Sequence, residues 1–269
     1  MKLFTNKKKL ETEIKNINNI SFVPTMGCLH KGHESLITKS VKKTGKTVVS
    51  IFVNPKQFES KKDFNKYPKN SKGDIKILKK LKVNYLYKPS FSDIYKFKTK
   101  NKIFLDKFSK KLCGQHRKGH FKGVVNVVNR FIEIIKPKKI FLGNKDFQQL
   151  VLIKKHINKN KINTEVIPCR TIRDKNFVAY SSRLKRLKNY EKARLKKIIK
   201  ILRNYKKDLI LKRTVHNSDM IKNKLLSFGA KKVDYVEIID LKTMKKPKKN
   251  KFNLFFAFYV GNVRFVDNF

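Results

Sequence analysis

A chain of 269 residues, 40% of them hydrophobic, is long enough to bury one large core or two modest ones without disulfides. Three widely spaced cysteines, Cys28, Cys113 and Cys169, argue against a secreted disulfide framework and a cysteine-rich zinc site, and no apolar run approaches the roughly 20 residues that span a bilayer. The formal net charge of +49 is spread over the whole chain as 58 lysines and ten arginines, beside abundant Asn, Ile and Phe and no Trp, which fits A- and T-rich codons acting on solvated faces; nucleic acid and membrane are therefore not expected as partners.

The opening stretch, MKLFTNKKKLETEIKNI, lacks the apolar core of a signal peptide, so a reducing cytoplasm is the expected location. From residue 20 onward, strand-like apolar runs alternate with helix-like segments, the pattern of a parallel sheet covered by helices. Strands are predicted at 20–25, 47–53, 84–88, 139–142 and 164–169, and helices at 33–43, 74–81, 124–135 and 147–158. The third helix carries Val124, Val127, Val128, Phe131 and Ile135 on one face, a core-packing stripe. After Arg173 the pattern changes to two basic amphipathic helices near 190–205 and 218–228, then strands at 233–241 and 253–267, the last a hairpin turning at Gly261-Asn262. The expected fold is α/β: a Rossmann-like parallel sheet with helices on both faces over 1–173, joined without a long linker to a smaller C-terminal α+β domain over 174–269.

Residues 20–37, ISFVPTMGCLHKGHESLI, place a buried strand, a Gly-containing turn and two histidines where a helix begins. Unpaired N–H groups and the positive end of the helix dipole attract phosphate there, and Gly32 lets the backbone approach closely. His30 and His33 can donate to the phosphates of a nucleotide; by residue type alone a histidine pair is equally a start to a metal site, and both readings stay open.

This VPTMG-x-LH-x-GH stretch resembles the HxGH nucleotidyltransferase-like superfamily and, within it, the pantothenate synthetase family. The resemblance continues through SIFVNPKQF at 50–58, Tyr67-Pro68, RKGHFKGV at 117–124, GNKDFQQL at 143–150, YSSR at 180–183 and YVEIIDLKTM at 235–244, and so covers essentially the whole chain. It implies a cytoplasmic, homodimeric ATP-dependent ligase that activates pantoate as an acyl-adenylate, transfers it to β-alanine and releases AMP and pyrophosphate, with the C-terminal domain as a lid.

By the same resemblance, ATP lies over Met26, Gly27, Cys28, Leu29, His30, Lys31, Gly32 and His33, with Gly143, Asn144, Lys145, Asp146 and Ile172 in the nucleotide pocket and Tyr180, Ser181, Ser182 and Arg183 in the block beside the phosphates. His33 matches the proton donor, and His30, Lys145 and Arg183 complete the implied catalytic set. Gln57 and Gln149 match the residues that hold pantoate; a glutamine amide suits this because it donates to a carboxylate and accepts from a hydroxyl. Asn54, Tyr67, Val124 and Val127 match pocket-lining positions, and Arg117 and His120 resemble a basic pair facing the cleft. Mg²⁺ is implied as well, held mainly by phosphates, with Asp74 as a candidate carboxylate.

A nucleotidyltransferase of the same superfamily would use the histidines identically, but the glutamine pair argues against it; intact His30, His33, Lys145 and Arg183 argue against a nucleic-acid-binding protein that has lost catalysis. Three departures from the family pattern stand out: Asn144 where Glu is usual, Leu184 where Asn follows SSR, and Lys118 in place of a frequent Pro. Loss of the carboxylate at 144 predicts altered ATP affinity with activity retained.

Overall fold

The computed structural model describes residues 1–43, 45–247 and 252–269. Strands β1 (Lys2–Phe4), β2 (Ile20–Thr25), β3 (Lys46–Ile51), β4 (Tyr85–Tyr87), β5 (Lys139–Gly143) and β6 (Glu165–Cys169) form one parallel sheet in the order β1-β4-β3-β2-β5-β6. From β2 the chain winds outward through β3 to β4, then returns to the other flank of β2 for β5 and β6. The order therefore reverses between β2 and β5, and in open α/β sheets ligands bind at that reversal, beyond the carboxyl ends of the strands.

The helices in chain order are α1 (Lys7–Ile14), α2 (Lys31–Lys43), α3 (Lys61–Asn65), α4 (Ser71–Lys80), α5 (Phe91–Tyr95), α6 (Cys113–His116), α7 (His120–Ile135) and α8 (Phe147–Lys159). Val23, Val49 and Leu86, in register on adjacent strands, join Phe141 on one face of the sheet, where Ile37 of α2 and Leu78 of α4 cover them. On the other face, Phe131 of α7 packs its ring 5.4 Å from Phe22, 6.0 Å from Tyr87 and 6.2 Å from Phe52. Burial from both sides is why these strands read as continuous apolar runs and not as alternation. The hydroxyls of Ser21, Ser40 and Thr47 bond one another inside this packing, which satisfies buried polar groups and seats α2 on β2 and β3.

The chain divides into two compact units, Met1–Ser109 with Arg117–Thr171, and Lys110–His116 with Ile172–Phe269. The second contains α9 (Asn189–Ile210), α10 (Ser218–Ser227) and an antiparallel sheet ordered β7 (Lys232–Ile239), β8 (Asn253–Val260), β9 (Val263–Asn268). Leu195, Ile198 and Leu202 of α9 and Ile221 and Leu225 of α10 bury Phe256 and Phe258 of β8. Gly261 turns the β8–β9 hairpin at φ +54°, a left-handed conformation that favours glycine, and a Cβ there would displace Glu191 Oε1, 1.8 Å away.

The segment Lys110–His116 groups with this second unit, a detour that no composition shift marks. Polar contacts hold it: Cys113 Sγ lies 3.0 Å from Tyr235 OH, Arg264 Nη1 reaches the same sulfur at 3.5 Å, and the His116 ring lies 5.8 Å from that of Tyr235. Strand β1 and helices α1, α3 and α5 are additions to the predicted elements; three to eight residues each, they are too short to show a periodicity.

Candidate active site

Strand β2 ends at Thr25, and the loop to α2 is fixed before either histidine is reached. Thr25 Oγ1 donates to the Ser50 carbonyl at 2.7 Å and accepts from Gly27 N–H at 3.2 Å. Asp74 of α4, 2% exposed, accepts from Cys28 N–H through Oδ2 at 2.8 Å and from Leu29 N–H through Oδ1 at 2.7 Å. Gly27 adopts φ +76°, and a Cβ there would meet Asp74 Oδ2 and Ile51 Cγ2, each at 3.0 Å; Cys28 follows at φ +51°. Asp74, the carboxylate considered for Mg²⁺, thus has both oxygens engaged in holding the loop amides.

Two imidazoles stand where this loop enters α2. His30 Nδ1 accepts from Gly32 N–H at 3.2 Å, which leaves the proton of a neutral ring on Nε2. The His30 and His33 rings lie 4.0 Å apart with a 32° tilt. His33 Nδ1 is buried with no hydrogen-bond partner among the described residues. Burial, then the neighbouring His30 and the Lys145 ammonium, hold the His33 proton affinity well below the usual imidazole value of 6.5, so the ring is neutral near pH 7. Lys145 stands in the short turn Asn144–Asp146 that follows β5, and its Nζ lies 3.3 Å from Asp146 Oδ1. The histidines come from β2's side of the strand-order reversal and the lysine from β5's.

The turn Pro55–Gln57 after β3 is tied on every side. Asn54, 1% exposed, accepts at Oδ1 from Lys56 N–H at 3.2 Å and Tyr95 O–H at 2.9 Å, and donates from Nδ2 to Gln57 Oε1 and the Gly123 carbonyl, both at 3.2 Å. Gln57 Nε2 donates to Met26 Sδ at 2.9 Å. Helix α7 approaches so closely that a Cβ on Gly123 would sit 2.1 Å from the Lys56 carbonyl oxygen. The Gln57 carbonyl accepts from His120 Nδ1 at 2.8 Å and Arg117 Nη2 at 3.2 Å, and Arg117 Nη1 donates to His120 Nε2 at 2.9 Å. Val124 and Val127 are buried on α7, and Tyr67 is buried with its ring edge-on to Phe58. Of the adjacent glutamines opening α8, Gln148 is buried and donates to the Phe108 carbonyl at 2.8 Å, whereas Gln149 is half-buried.

In the second unit, the Ile172 carbonyl accepts from Tyr180 N–H at 3.1 Å, closing a return whose base is held by Arg173. That guanidinium forks onto Asp267 at 2.5 and 3.0 Å and donates to the Phe177 and Asn268 carbonyls. Ser181 Oγ accepts from Arg183 N–H at 3.3 Å, and buried Ser182 opens the turn Ser182–Arg186. Leu184 packs against the core of this unit, which gives a reason for an apolar residue at that departure from the family pattern.

The first unit contains Met26 to His33, Asn54, Gln57, Tyr67, Arg117, His120, Val124, Val127, Gly143 to Asp146 and Gln149; the second contains Ile172 and Tyr180 to Arg183. Sequence reasoning overlooked Asp74's hold on the loop and the role of Gly123. Gly123 fell just outside the helix predicted to begin at 124, so its close approach to the turn carried no local signal. Nothing local announces Asp74, whose partners lie 45 and 46 residues upstream.

The model of the family described as Pantoate-beta-alanine ligase matches residues 2–269. The pantothenate synthetase of Flavobacterium psychrophilum is 37% identical over 268 residues, 97% of this chain and 95% of the relative; that of Pseudothermotoga lettingae is 37% identical over 270 residues, 97% and 94%. The crystal structure of pantoate-beta-alanine ligase from Francisella tularensis, complexed with beta-gamma ATP and beta-alanine, is 36% identical with a TM-score of 0.86, covering 100% of this chain and 97% of that one. Pantothenate synthetase from Thermus thermophilus, 24% identical over 100% of this chain and 99% of its own, shares the fold at a TM-score of 0.88.

Proposed function

This chain belongs to the pantoate-beta-alanine ligase family, a family of ligases, and we propose that it joins pantoate to β-alanine at the expense of ATP, through a pantoyl-adenylate. The observation that carries this reading is the close histidine pair at the strand-order reversal, with one buried imidazole nitrogen unpartnered among the described residues and Lys145 within its electrostatic reach.

In the first step a pantoate carboxylate oxygen attacks the α-phosphorus, the bond to the bridging oxygen breaks, and pyrophosphate leaves. Negative charge grows on the phosphoryl oxygens, and preorganised N–H donors and cations lower that barrier most. His30, Lys145 and Arg183 are assigned to this charge. His33 is neutral in the free protein, but a triphosphate beside it raises its proton affinity, so it takes up a proton on binding and can donate toward the departing pyrophosphate. Ser181 and Ser182 join the phosphate side, and Met26, Gly27, Cys28, Leu29, Lys31, Gly32, Gly143, Asn144, Asp146, Ile172 and Tyr180 the nucleotide pocket, each by its match to the family pattern. Gln57 and Gln149 hold pantoate, with Asn54, Tyr67, Val124 and Val127 about it.

In the second step the unprotonated β-alanine amine attacks the acyl carbon, the bond to the AMP oxygen breaks, and the nitrogen loses a proton. Holding both reactants in one site makes this encounter effectively unimolecular. Mg²⁺ would be held mainly by the ATP phosphates, where it neutralises charge; no three ligating side chains converge among the described residues, and Asp74 holds amides instead. A homodimer in the cytoplasm is the arrangement expected of the family.

The test is direct. Pantoate, β-alanine and ATP should yield AMP and pyrophosphate in equal amounts, and pantoate alone should support exchange of labelled pyrophosphate into ATP. A product that retains the nucleotide, or no exchange, would overturn the reading.

A further inference from the structure

We propose that Arg117 and His120 are positioning residues: they set the direction of the Gln57 side chain by gripping its backbone carbonyl, and they do not contact substrate. This rests on the assignment of Gln57 to pantoate.

The turn Pro55–Gln57 is three residues long, with Gln57 N–H bonded to the Asn54 carbonyl at 3.3 Å and Phe58 N–H to the Pro55 carbonyl at 3.2 Å. The second bond holds the N–H edge of the peptide that follows Gln57; what anchors its carbonyl edge, and with it the backbone from which the Gln57 side chain projects, comes from outside the turn. His120 Nδ1–H and Arg117 Nη2–H converge on that peptide's oxygen from 2.8 and 3.2 Å and occupy both of its lone pairs. Arg117 Nη1–H also donates to His120 Nε2 at 2.9 Å, which forces the neutral ring's proton onto Nδ1, where the carbonyl needs it. Arg117 Nε in turn lies 3.5 Å from Glu59, two residues beyond the turn. These donors of Arg117 and His120 are thus directed at the turn and at each other.

Helix α7 holds the turn at a second point, where Gly123 abuts the Lys56 carbonyl, and Asn54 holds the Gln57 amide oxygen. Only Nε2 of that amide is lightly held, by the Met26 thioether, a weak acceptor that a substrate carboxylate displaces at little cost. The Gln57 amide is thus anchored at its oxygen and exchangeable at its nitrogen, the donor assigned to pantoate.

Steady-state kinetics on the full chain test this. His120→Ala should raise KM for pantoate about tenfold, the factor expected for one lost hydrogen bond, with KM for ATP and the circular dichroism spectrum unchanged. His120→Asn, whose amide N–H occupies the place of Nδ1–H, should stay within about twofold of the wild type, and His120→Ala should add nothing to Gln57→Ala. Equal losses in the Asn and Ala variants, a parallel rise in KM for ATP, or fully multiplicative effects in the double variant would each overturn the proposal. Should His120→Ala not fold, Arg117→Ala carries the same readouts. Gln57→Ala with an unchanged KM for pantoate would instead remove the premise about Gln57, a result distinct from failure of the positioning role.

Discussion

The histidine loop after β2 and the glutamine turn after β3 are neighbours at the same end of one sheet, and they are finished in opposite ways. In the loop Asp74 and Thr25 take up the N–H groups of Gly27, Cys28 and Leu29, while one side-chain nitrogen, His33 Nδ1, is buried with no partner among the described residues. In the turn the Gln57 amide oxygen is held by Asn54 and its backbone carbonyl by Arg117 and His120. The difference suits the chemistry proposed for each. A triphosphate brings several acceptors and a large charge, so unsatisfied donors gain most from it; pantoate is small and singly charged, so a preset direction matters more than spare bonding capacity.

The strongest way to break this contrast is to remove the unsatisfied side. His33→Ala should lower pantoate-dependent pyrophosphate exchange at least 100-fold, about 2.7 kcal/mol, as for loss of a transition-state donor; near-normal exchange would place the chemistry elsewhere. The held backbone beneath it is tested by Asp74→Asn, which leaves one loop amide facing an NH₂ group. Urea denaturation should show a loss of about 2 kcal/mol, and unchanged stability would mean the loop does not depend on that carboxylate.

The neutral imidazoles sharpen the comparison through pH. His33 is held low by burial and by nearby positive charge, and His156 by burial in bonds to Phe104 N–H and Asn129. Unfolded, both take a proton near 6.5. Their contribution to stability is thus complete above pH 6.5 and declines as pH falls below it, because the unfolded chain then binds protons the folded one refuses. A melting temperature that is flat from pH 8 to 5 would contradict this, and a triphosphate analogue should lessen the decline by letting His33 accept its proton. The smallest effect belongs to Asn144→Glu, which should change KM for ATP a few-fold with kcat retained, an added carboxylate acting at surface-like strength; no change would make position 144 scaffold.

Much of the fold was legible because burial on both faces makes parallel strands into apolar runs: β2 matches its predicted bounds, and β3 to β6 fall within two residues of theirs. Helix α7 begins at His120, four residues before the predicted 124: Gly119 at φ +76° caps it, and Phe121, buried in the first turn, extends the apolar stripe by one more turn. The histidine pair, Lys145 and the glutamines were legible as motif members, each carrying its chemistry in its own side chain.

What sequence determined by itself was therefore local: which runs bury both faces, where a strand turns into a helix, and which motif side chains stand at that junction. Tertiary structure alone decided who supports them. Asp74 reaches its amides across 46 residues, Gly123 lets a helix touch a turn 67 residues upstream, and Lys110–His116 leaves one unit to join another. Such partnerships depend on distances in space between groups whose spacing along the chain is arbitrary, and no local pattern of hydrophobicity or charge encodes them.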